Sequence, residues 1–229
     1  MIRYDDISIG YGSRVLARGV SFTADPGECI LLAGPNGCGK TTLLRALAGP
    51  SARMVPTGIP KVKGFTVSDF IRTGCYKESN WRGKLSPETE ARLQETLGLL
   101  GLEGLADRDL ATLSDGEFQK ACIATALTRK AELLLLDEPT AFLDYPSKVD
   151  MLQLLHQLSR ETHKTIFLST HDLELALQIT DTLWLMQPHE APVIGTPRAL
   201  ADNGALSRFI DREGICFDRE SLSIRVTKH

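Results

Sequence analysis

The sequence has no long apolar run, no excess of basic charge and no regular set of cysteines. Its apolar runs, such as the four leucines at 133–136, are far shorter than the roughly 20 apolar residues of a membrane-spanning helix. Lys and Arg total 26 against 29 Asp and Glu, and this balance disfavours a nucleic-acid partner. The five cysteines are odd in number and scattered, unlike a metal cluster or a disulfide framework. We therefore expect a chain that does not cross a bilayer, binds no nucleic acid and keeps its thiols reduced.

The length and the start of the chain narrow the class of protein. The 229 residues, 42% of them hydrophobic, are enough for one domain with a sizeable core. Met1 is followed by mainly polar residues, without the basic start and apolar run of a secretory signal. We therefore expect one globular domain in the cytoplasm.

Short apolar runs alternate with helical patterns at both ends of the chain. We predict strands at 4–9, 20–23, 29–33, 132–137 and 165–169, and helices at 41–48, 117–128 and 149–158. Buried parallel strands that are covered by helices on both faces have this pattern. Residues 58–131 differ, because leucines recur there at helical spacing after a Ser86-Pro87 helix start. The prediction is a single α/β domain, 1–229, with a mainly parallel sheet, an N-terminal antiparallel β part and an inserted helical lobe at 58–131.

Residues 34–41 fit the pattern G-x-x-x-x-G-K-[ST], placed between a predicted strand and a predicted helix. Glycines let backbone N–H groups turn toward phosphate oxygens, and the helix N-terminus attracts the same anion. Lys40 is expected to reach the β and γ phosphates of a nucleotide, and the Thr41 hydroxyl to bind Mg²⁺. The alternative is a glycine-rich turn with a chance lysine. The pattern predicts a P-loop NTPase core at 1–57 and 132–229.

Two carboxylates follow the predicted strand at 133–136. Asp137 and Glu138 would lie at the carboxyl edge of a parallel sheet, where such folds gather their ligand groups. Asp137 is expected to hold Mg²⁺ directly or through water, and Glu138 to accept a proton from an attacking water. The alternative is that both are ordinary solvated turn residues.

Four segments occur in the order found in ABC transporter ATPase subunits, and the chain resembles that family over nearly its whole length. The segments are 34–42, the pentapeptide Leu-Ser-Asp-Gly-Glu at 113–117, 133–140 and Ser-Thr-His-Asp at 169–172. In that family the pentapeptide is the signature motif, which closes over the ATP of a second, head-to-tail subunit. The resemblance therefore implies ATP and Mg²⁺ as cofactors and a homodimer as the working unit.

The resemblance also assigns roles to single residues. It implies catalytic roles for Glu138, His171 and Lys40, and it implies nucleotide contacts for Tyr11, Gly34, Asn36, Gly37, Cys38, Gly39, Lys40, Thr41, Thr42, Ser114, Gly116 and Asp144. Tyr11 is expected to stack on adenine, and its alternative is a strand-end tyrosine that covers the core. A structural role is the alternative for His171, and a helix cap is the alternative for Asp144.

Two positions depart from the family pattern. Thr57 stands where the family has a glutamine that senses Mg²⁺, so the implied metal ligands are Thr41, Asp137 and Thr57. The threonine side chain is shorter than that of glutamine, which puts direct coordination of the metal by Thr57 in doubt. Asp115 stands where the signature motif usually has glycine. We expect Asp115 to point away from the nucleotide and to cap the following helix through the N–H of Phe118 or a neighbour.

The function implied is the ATP-hydrolysing subunit of an ABC transporter, peripheral on the inner face of the cell membrane. Its partners would be a second copy, integral membrane permease subunits and, through the permease, a substrate-binding protein. Residues 10–16 and 170–177 look most like importers of iron-siderophore complexes, haem or cobalamin. The alternatives are a soluble ABC-type ATPase, such as one of iron-sulfur cluster assembly, and a small-molecule kinase. A kinase would leave the pentapeptide and His171 unexplained.

Overall fold

The computed structural model describes residues 1–11, 14–188 and 190–226, with the side chains at 7–9, 11 and 14–19 left aside. The strands are β1 (Ile2–Tyr11), β2 (Arg14–Ala24), β3 (Cys29–Ala33), β4 (Ala52–Val55), β5 (Leu133–Asp137), β6 (Thr165–Ser169), β7 (Thr182–Leu185), β8 (Val193–Gly195), β9 (Ile215–Asp218) and β10 (Ser223–Val226). The helices are α1 (Lys40–Leu47), α2 (Val67–Arg72), α3 (Pro87–Leu99), α4 (Asp115–Leu127), α5 (Tyr145–Thr162), α6 (Leu173–Leu177), α7 (Pro197–Asp202) and α8 (Ala205–Ile210). Short 3₁₀ helices lie at Thr73–Glu78, Glu103–Leu105 and Leu110–Thr112.

The central sheet has the strand order β4-β5-β6-β3-β7-β8. Its first five strands are parallel, and β8 pairs antiparallel with β7 at one edge. Every residue of β3, β5 and β6 is buried, as expected for parallel strands that are covered on both faces. The predicted α/β fold with a mainly parallel sheet is therefore confirmed.

An antiparallel hairpin of β1 and β2 forms a separate two-stranded sheet at the N-terminus. It is attached to the core through aromatic side chains. The Phe22 ring stacks on Tyr4 at 5.1 Å and meets the edge of Trp184 at 4.6 Å, and the Tyr4 hydroxyl donates to the Leu47 carbonyl of α1 at 3.0 Å. The predicted antiparallel part is confirmed, and a second hairpin of β9 and β10 was not predicted.

Helices α2, α3 and α4 lie between β4 and β5 in the chain, inside the predicted lobe at 58–131. Their buried side chains Val67, Leu93 and Phe118 belong to the same apolar cluster as Leu134 and Leu136 of β5. These helices are therefore packed directly against the sheet. In the part of the chain that is described, none of the helices has both the length and the apolar character needed to cross a membrane.

Helix starts follow the capping residues. Ser86 caps α3 with proline at the next position, as predicted. Asp144 caps α5, which begins four residues before the predicted helix at 149–158 because its first turn carries no apolar periodicity. At α4 the prediction that Asp115 caps the helix is wrong. Ser114 is the cap, because its backbone is extended and its side chain accepts from the Glu117 N–H.

Candidate active site

The predicted functional residues gather at one edge of the central sheet. Strands β3, β5 and β6 are parallel neighbours or next neighbours, so their carboxyl ends lie side by side. The glycine-rich loop follows β3, the carboxylate pair ends β5, and the segment with His171 follows β6. Open α/β sheets bind ligands at this edge.

The loop at 34–39 has a backbone that only glycine permits at several points. A Cβ on Gly34 would lie 2.5 Å from the Cys38 sulfur and 2.7 Å from the Met186 carbonyl oxygen. Gly37 and Gly39 adopt left-handed φ values of 80° and 106°. Gly39 is also the N-cap of α1 and offers no capping side chain. The first N–H groups of α1 are therefore left for an external acceptor, which suits a phosphate.

Lys40 is the first residue of α1 and is only 7% exposed. Its ammonium donates to the main-chain carbonyls of Gly34 at 2.7 Å and Pro35 at 3.2 Å. The lysine side chain therefore folds back onto the start of its own loop, which holds its charge beside Gly34 and Pro35. An ammonium has three donors, so a third is available for a phosphate oxygen.

Asp137 ends β5 and is held by two hydroxyls. The Thr41 hydroxyl lies 2.9 Å from Oδ2 and 3.1 Å from Oδ1 of Asp137, and the Ser169 hydroxyl donates to Oδ1 at 2.8 Å. Asp137 is 8% exposed and Ser169 is fully buried. A buried carboxylate needs such donors, because each unsatisfied oxygen would lose its hydration.

Glu138 and His171 face each other at 2.6 Å between Oε1 and Nε2. Glu138 has a left-handed φ of 53°, uncommon for a residue with a side chain. Its N–H donates to both the carbonyl and the hydroxyl oxygen of Ser169, at 3.1 Å and 3.0 Å. Backbone strain of this kind persists where surrounding contacts hold it, and the two bonds to Ser169 are such contacts.

Behind His171 lies a network that the sequence analysis missed. The Thr140 and Thr170 hydroxyls are 3.0 Å apart, and Thr140 donates to Asp172 at 3.2 Å. Asp172 also pairs with Lys148 of α5 at 3.1 Å. This network connects the segment after β5 to the segment that carries His171. A polar residue directly after an apolar strand, as Thr170 is after β6, is the signal that could have indicated it.

Thr57 lies in the loop after β4, and its hydroxyl donates to the main-chain oxygen of Asp137 at 2.6 Å. Thr57 therefore contacts the strand that carries the carboxylates through a hydrogen bond to its main chain. The Thr57 hydroxyl is the donor in this bond, so its oxygen still has lone pairs that could accept from a metal-bound water. That role toward the metal stays a prediction.

The pentapeptide forms the start of α4 on the helical lobe. Ser114 and Glu117 cap each other: the Glu117 N–H donates to the Ser114 hydroxyl at 3.2 Å, and the Ser114 N–H donates to Glu117 at 2.7 Å. That N–H lowers the pKa of the Glu117 carboxyl below its ordinary value. The carboxylate of Asp115 instead pairs with Lys61 at 2.8 Å.

Not all predicted residues meet in this chain. Lys40, Thr41, Asp137, Glu138, His171 and Thr57 lie at one edge of the sheet, and Asn36, Gly37 and Thr42 lie on or next to the same loop. Ser114, Gly116 and Asp144 form no hydrogen bond with that group among the described residues. The Asp144 side chain caps α5 by accepting from the Ser147 N–H at 3.0 Å, and hydrogen bonds with the side chain and then the main chain of Ser147 lower the pKa of its carboxyl. The Tyr11 side chain lies outside the described residues.

The residues present fit a nucleotide with Mg²⁺. The left-handed glycines and uncapped helix N-terminus form a cradle for phosphate oxygens, with Lys40 beside them. The oxygens of Asp137 and Thr41 are the hard ligands that Mg²⁺ takes in proteins, and they lie within 2.9 Å of each other. The fold and this site together define a P-loop nucleoside triphosphatase.

Comparison with known proteins identifies the family. The profile described as ABC transporter matches residues 17–141. The petrobactin import ATP-binding protein FpuC of Bacillus anthracis is 31% identical over 222 residues, covering 86% of this chain and 82% of its own. The achromobactin transport ATP-binding protein CbrD of Dickeya dadantii is 31% identical over 222 residues, with the same shares covered. The chain belongs to the ABC transporter family, as a transport ATPase.

Solved structures agree on the fold. A chain described as the metal-chelate type of ABC transporter, in an inward-facing conformation, has a TM-score of 0.78 at 24% identity and covers 98% of this chain and 96% of that one. An ATP-binding cassette in its ADP conformation has a TM-score of 0.75 at 21% identity, with 90% and 96% covered. The predicted P-loop NTPase fold is therefore confirmed.

Proposed function

We propose that this chain powers the import of an iron-siderophore, haem or cobalamin type of substrate by hydrolysing ATP. The contact of 2.6 Å between Glu138 and His171, beside Asp137 and the phosphate loop, is the observation that carries the hydrolytic part. The names of the relatives, an ATP-binding protein of petrobactin import and one of achromobactin transport, support the iron-siderophore choice. They favour transport over the soluble alternative of iron-sulfur cluster assembly.

The nucleotide would lie with its phosphates on the loop at 34–39 and on the N-terminus of α1. Lys40 would neutralise charge on the β and γ phosphates, and the N–H groups after Gly39 would bind their oxygens. Mg²⁺ bound by Thr41 and Asp137, with Thr57 near its water shell, would neutralise further charge on the same phosphates. Tyr11 would stack on adenine.

Glu138 would orient the attacking water and accept its proton. The His171 Nε2 lies 2.6 Å from the Glu138 carboxylate, so it holds that carboxylate in one direction. General bases of this kind contribute about 10²–10⁴-fold to a rate. The Ser169 hydroxyl would hold Asp137 and Glu138 in place, because it donates to the carboxylate of Asp137 and accepts from the N–H of Glu138.

The working unit would be a head-to-tail homodimer. We propose a division into a nucleotide-binding core at 1–57 and 132–229 and a lobe at 58–131, and the lobe of one copy would close over the nucleotide of the other. Ser114 and Gly116 start α4, whose N-terminus would meet the γ phosphate of the second copy. Asp144 would link the two nucleotide sites. Among the described residues, a Cβ on Gly116 would meet only Leu143, at an ordinary 3.9 Å, so close approach of a partner is a reason for glycine there.

The dimer would act on integral membrane permease subunits, at the inner face of the cell membrane, and through them on a substrate-binding protein. The test is uptake of iron from ferric siderophores in cells that lack this chain. Restoration by the parent chain and not by Glu138→Gln, with the permease co-purifying in mild detergent, is the expected result. Normal uptake without the chain, and recovery of soluble partners alone, would refute the proposal.

A further inference from the structure

We propose that Lys61 is a positioning residue for the reaction: it neutralises Asp115 and holds the start of α4 in place for the second copy's nucleotide. The loop at 56–64, between β4 and α2, carries this lysine. The inference rests on the proposed dimer, because only there does the start of α4 meet a nucleotide.

The Lys61 ammonium is bound at two points at the start of α4. It donates to the Leu113 carbonyl at 2.8 Å and to the Asp115 carboxylate at 2.8 Å. It also lies 5.7 Å from the centroid of the Phe118 ring, one turn into the helix. Lys61 therefore contacts one residue before the Ser114 cap and two residues after it.

The charges at this helix start explain why a lysine is needed. The first turn of α4 carries two carboxylates, Asp115 and Glu117. Each has a cation from outside the helix, because Lys61 pairs with Asp115 at 2.8 Å and Arg108 lies 4.0 Å from Glu117. A polyphosphate brought to this turn would be repelled by an unpaired carboxylate. Lys61 thus compensates for an aspartate at a position where glycine would need no partner.

Two other hydrogen bonds hold the loop at 56–64, which carries Lys61, in place. The Thr57 hydroxyl donates to the Asp137 carbonyl at 2.6 Å, and the Gly64 N–H donates to the Asp109 carboxylate at 2.8 Å. The loop is therefore fixed to the carboxylate strand β5 at one end and to Asp109, the cap of the 3₁₀ helix Leu110–Thr112, at the other.

The pair is too exposed to serve mainly for stability. The side chains of Lys61 and Asp115 are 28% and 60% exposed, and ion pairs of this kind contribute little to folding. Loss of Lys61 should therefore change the response to ATP far more than it changes the unfolding transition.

The experiment is a double-mutant cycle in full-length Glu138→Gln chains, which should form ATP-bound dimers without turnover. The four chains carry Lys61→Met, Asp115→Gly, both or neither, and methionine keeps the apolar stem against Phe118. The readout is the ATP concentration for half-maximal dimerisation, measured by light scattering. Lys63→Met is the matched control, since it removes the same charge from an exposed side chain of the same loop.

We expect Lys61→Met to raise that ATP concentration about tenfold when Asp115 is present and less than about twofold when residue 115 is glycine. The same factor in both backgrounds, or an equal effect of Lys63→Met, would overturn the role of Lys61 and leave the proposed function standing. Absence of any ATP-dependent dimer in the Glu138→Gln chain would instead refute the dimer. Hydrogen exchange without nucleotide then decides: faster exchange of the first α4 amides in Lys61→Met supports the positioning contact, and unchanged exchange refutes it.

Discussion

Replacing Ser169 with alanine tests whether the Ser169 hydroxyl holds Asp137 and Glu138 in place. Ser169 is fully buried, and its hydroxyl makes two contacts that alanine cannot replace. It donates to Asp137 Oδ1 at 2.8 Å and accepts from the Glu138 N–H at 3.0 Å. The Glu138 N–H would keep the Ser169 carbonyl at 3.1 Å, so the main loss is the bond to the charged Asp137.

The magnitude follows from those partners. Hydrogen bonds to charged groups contribute about 1.5–3 kcal/mol, and Asp137 retains the Thr41 hydroxyl, so we expect a loss near the lower end, about 1.5 kcal/mol. The Glu138 N–H would lose one of its two acceptors, and misplacement of a catalytic group by about 1 Å costs on the order of 10²-fold. We expect kcat to fall about ten- to hundredfold.

The assay pairs urea unfolding with steady-state ATP hydrolysis. Ser159→Ala is the matched control, because Ser159 is also fully buried and its hydroxyl donates only to the neutral His156 carbonyl at 2.7 Å. That variant should lose about 0.5–1.5 kcal/mol of stability and keep its kcat. If Ser169→Ala hydrolysed ATP as fast as Ser159→Ala, the supporting role of Ser169 would be wrong.

Three further substitutions test the site. Glu138→Gln keeps the side-chain length but accepts no proton, so phosphate release should slow about 10²–10⁴-fold; a rate within about tenfold of the parent would exclude Glu138 as the base. Thr57→Val loses the bond to the Asp137 carbonyl, and Mg²⁺ titration of hydrolysis should show a half-maximal concentration raised about threefold, with Thr57→Ser near the parent. Equal values for the two variants would contradict this. The Ser114 N–H holds the pKa of the Glu117 carboxyl below its ordinary value. The stability that the ionised Glu117 contributes is therefore present above the pKa of the unfolded chain, and it is lost as pH falls through the pKa of the folded chain. Glu117→Gln should therefore show a smaller loss of Tm between about pH 7 and about pH 3 than the parent, and an equal loss would refute the assignment.

Local patterns were sufficient for the parts of the site that one segment builds alone. The loop at 34–41 could be predicted because glycine spacing, Lys40 and Thr41 all act within one strand-turn-helix unit. Asp137 and Glu138 could be placed because the apolar run before them marks a buried strand, whose end lies at the ligand edge of the sheet.

Contacts between distant segments were beyond those patterns. The choice of Ser114 over Asp115 as the cap of α4 depends on backbone angles, since both residue types cap helices well. Asp115 is free to pair with Lys61 because the loop at 56–64 folds across the start of that helix. The β9 and β10 hairpin was missed because its strands are short and only partly buried.

The sequence by itself determined the class of fold, the phosphate loop and the order of the catalytic motifs, because each depends on residue types at fixed short spacings. Only the tertiary structure decided which side chains hold those motifs in place. Ser169 binds both Asp137 and Glu138, and Lys61 reaches Asp115 across 54 positions of the chain. Such partners are chosen by the packing of separate elements, and no local propensity specifies a contact between residues so far apart in sequence.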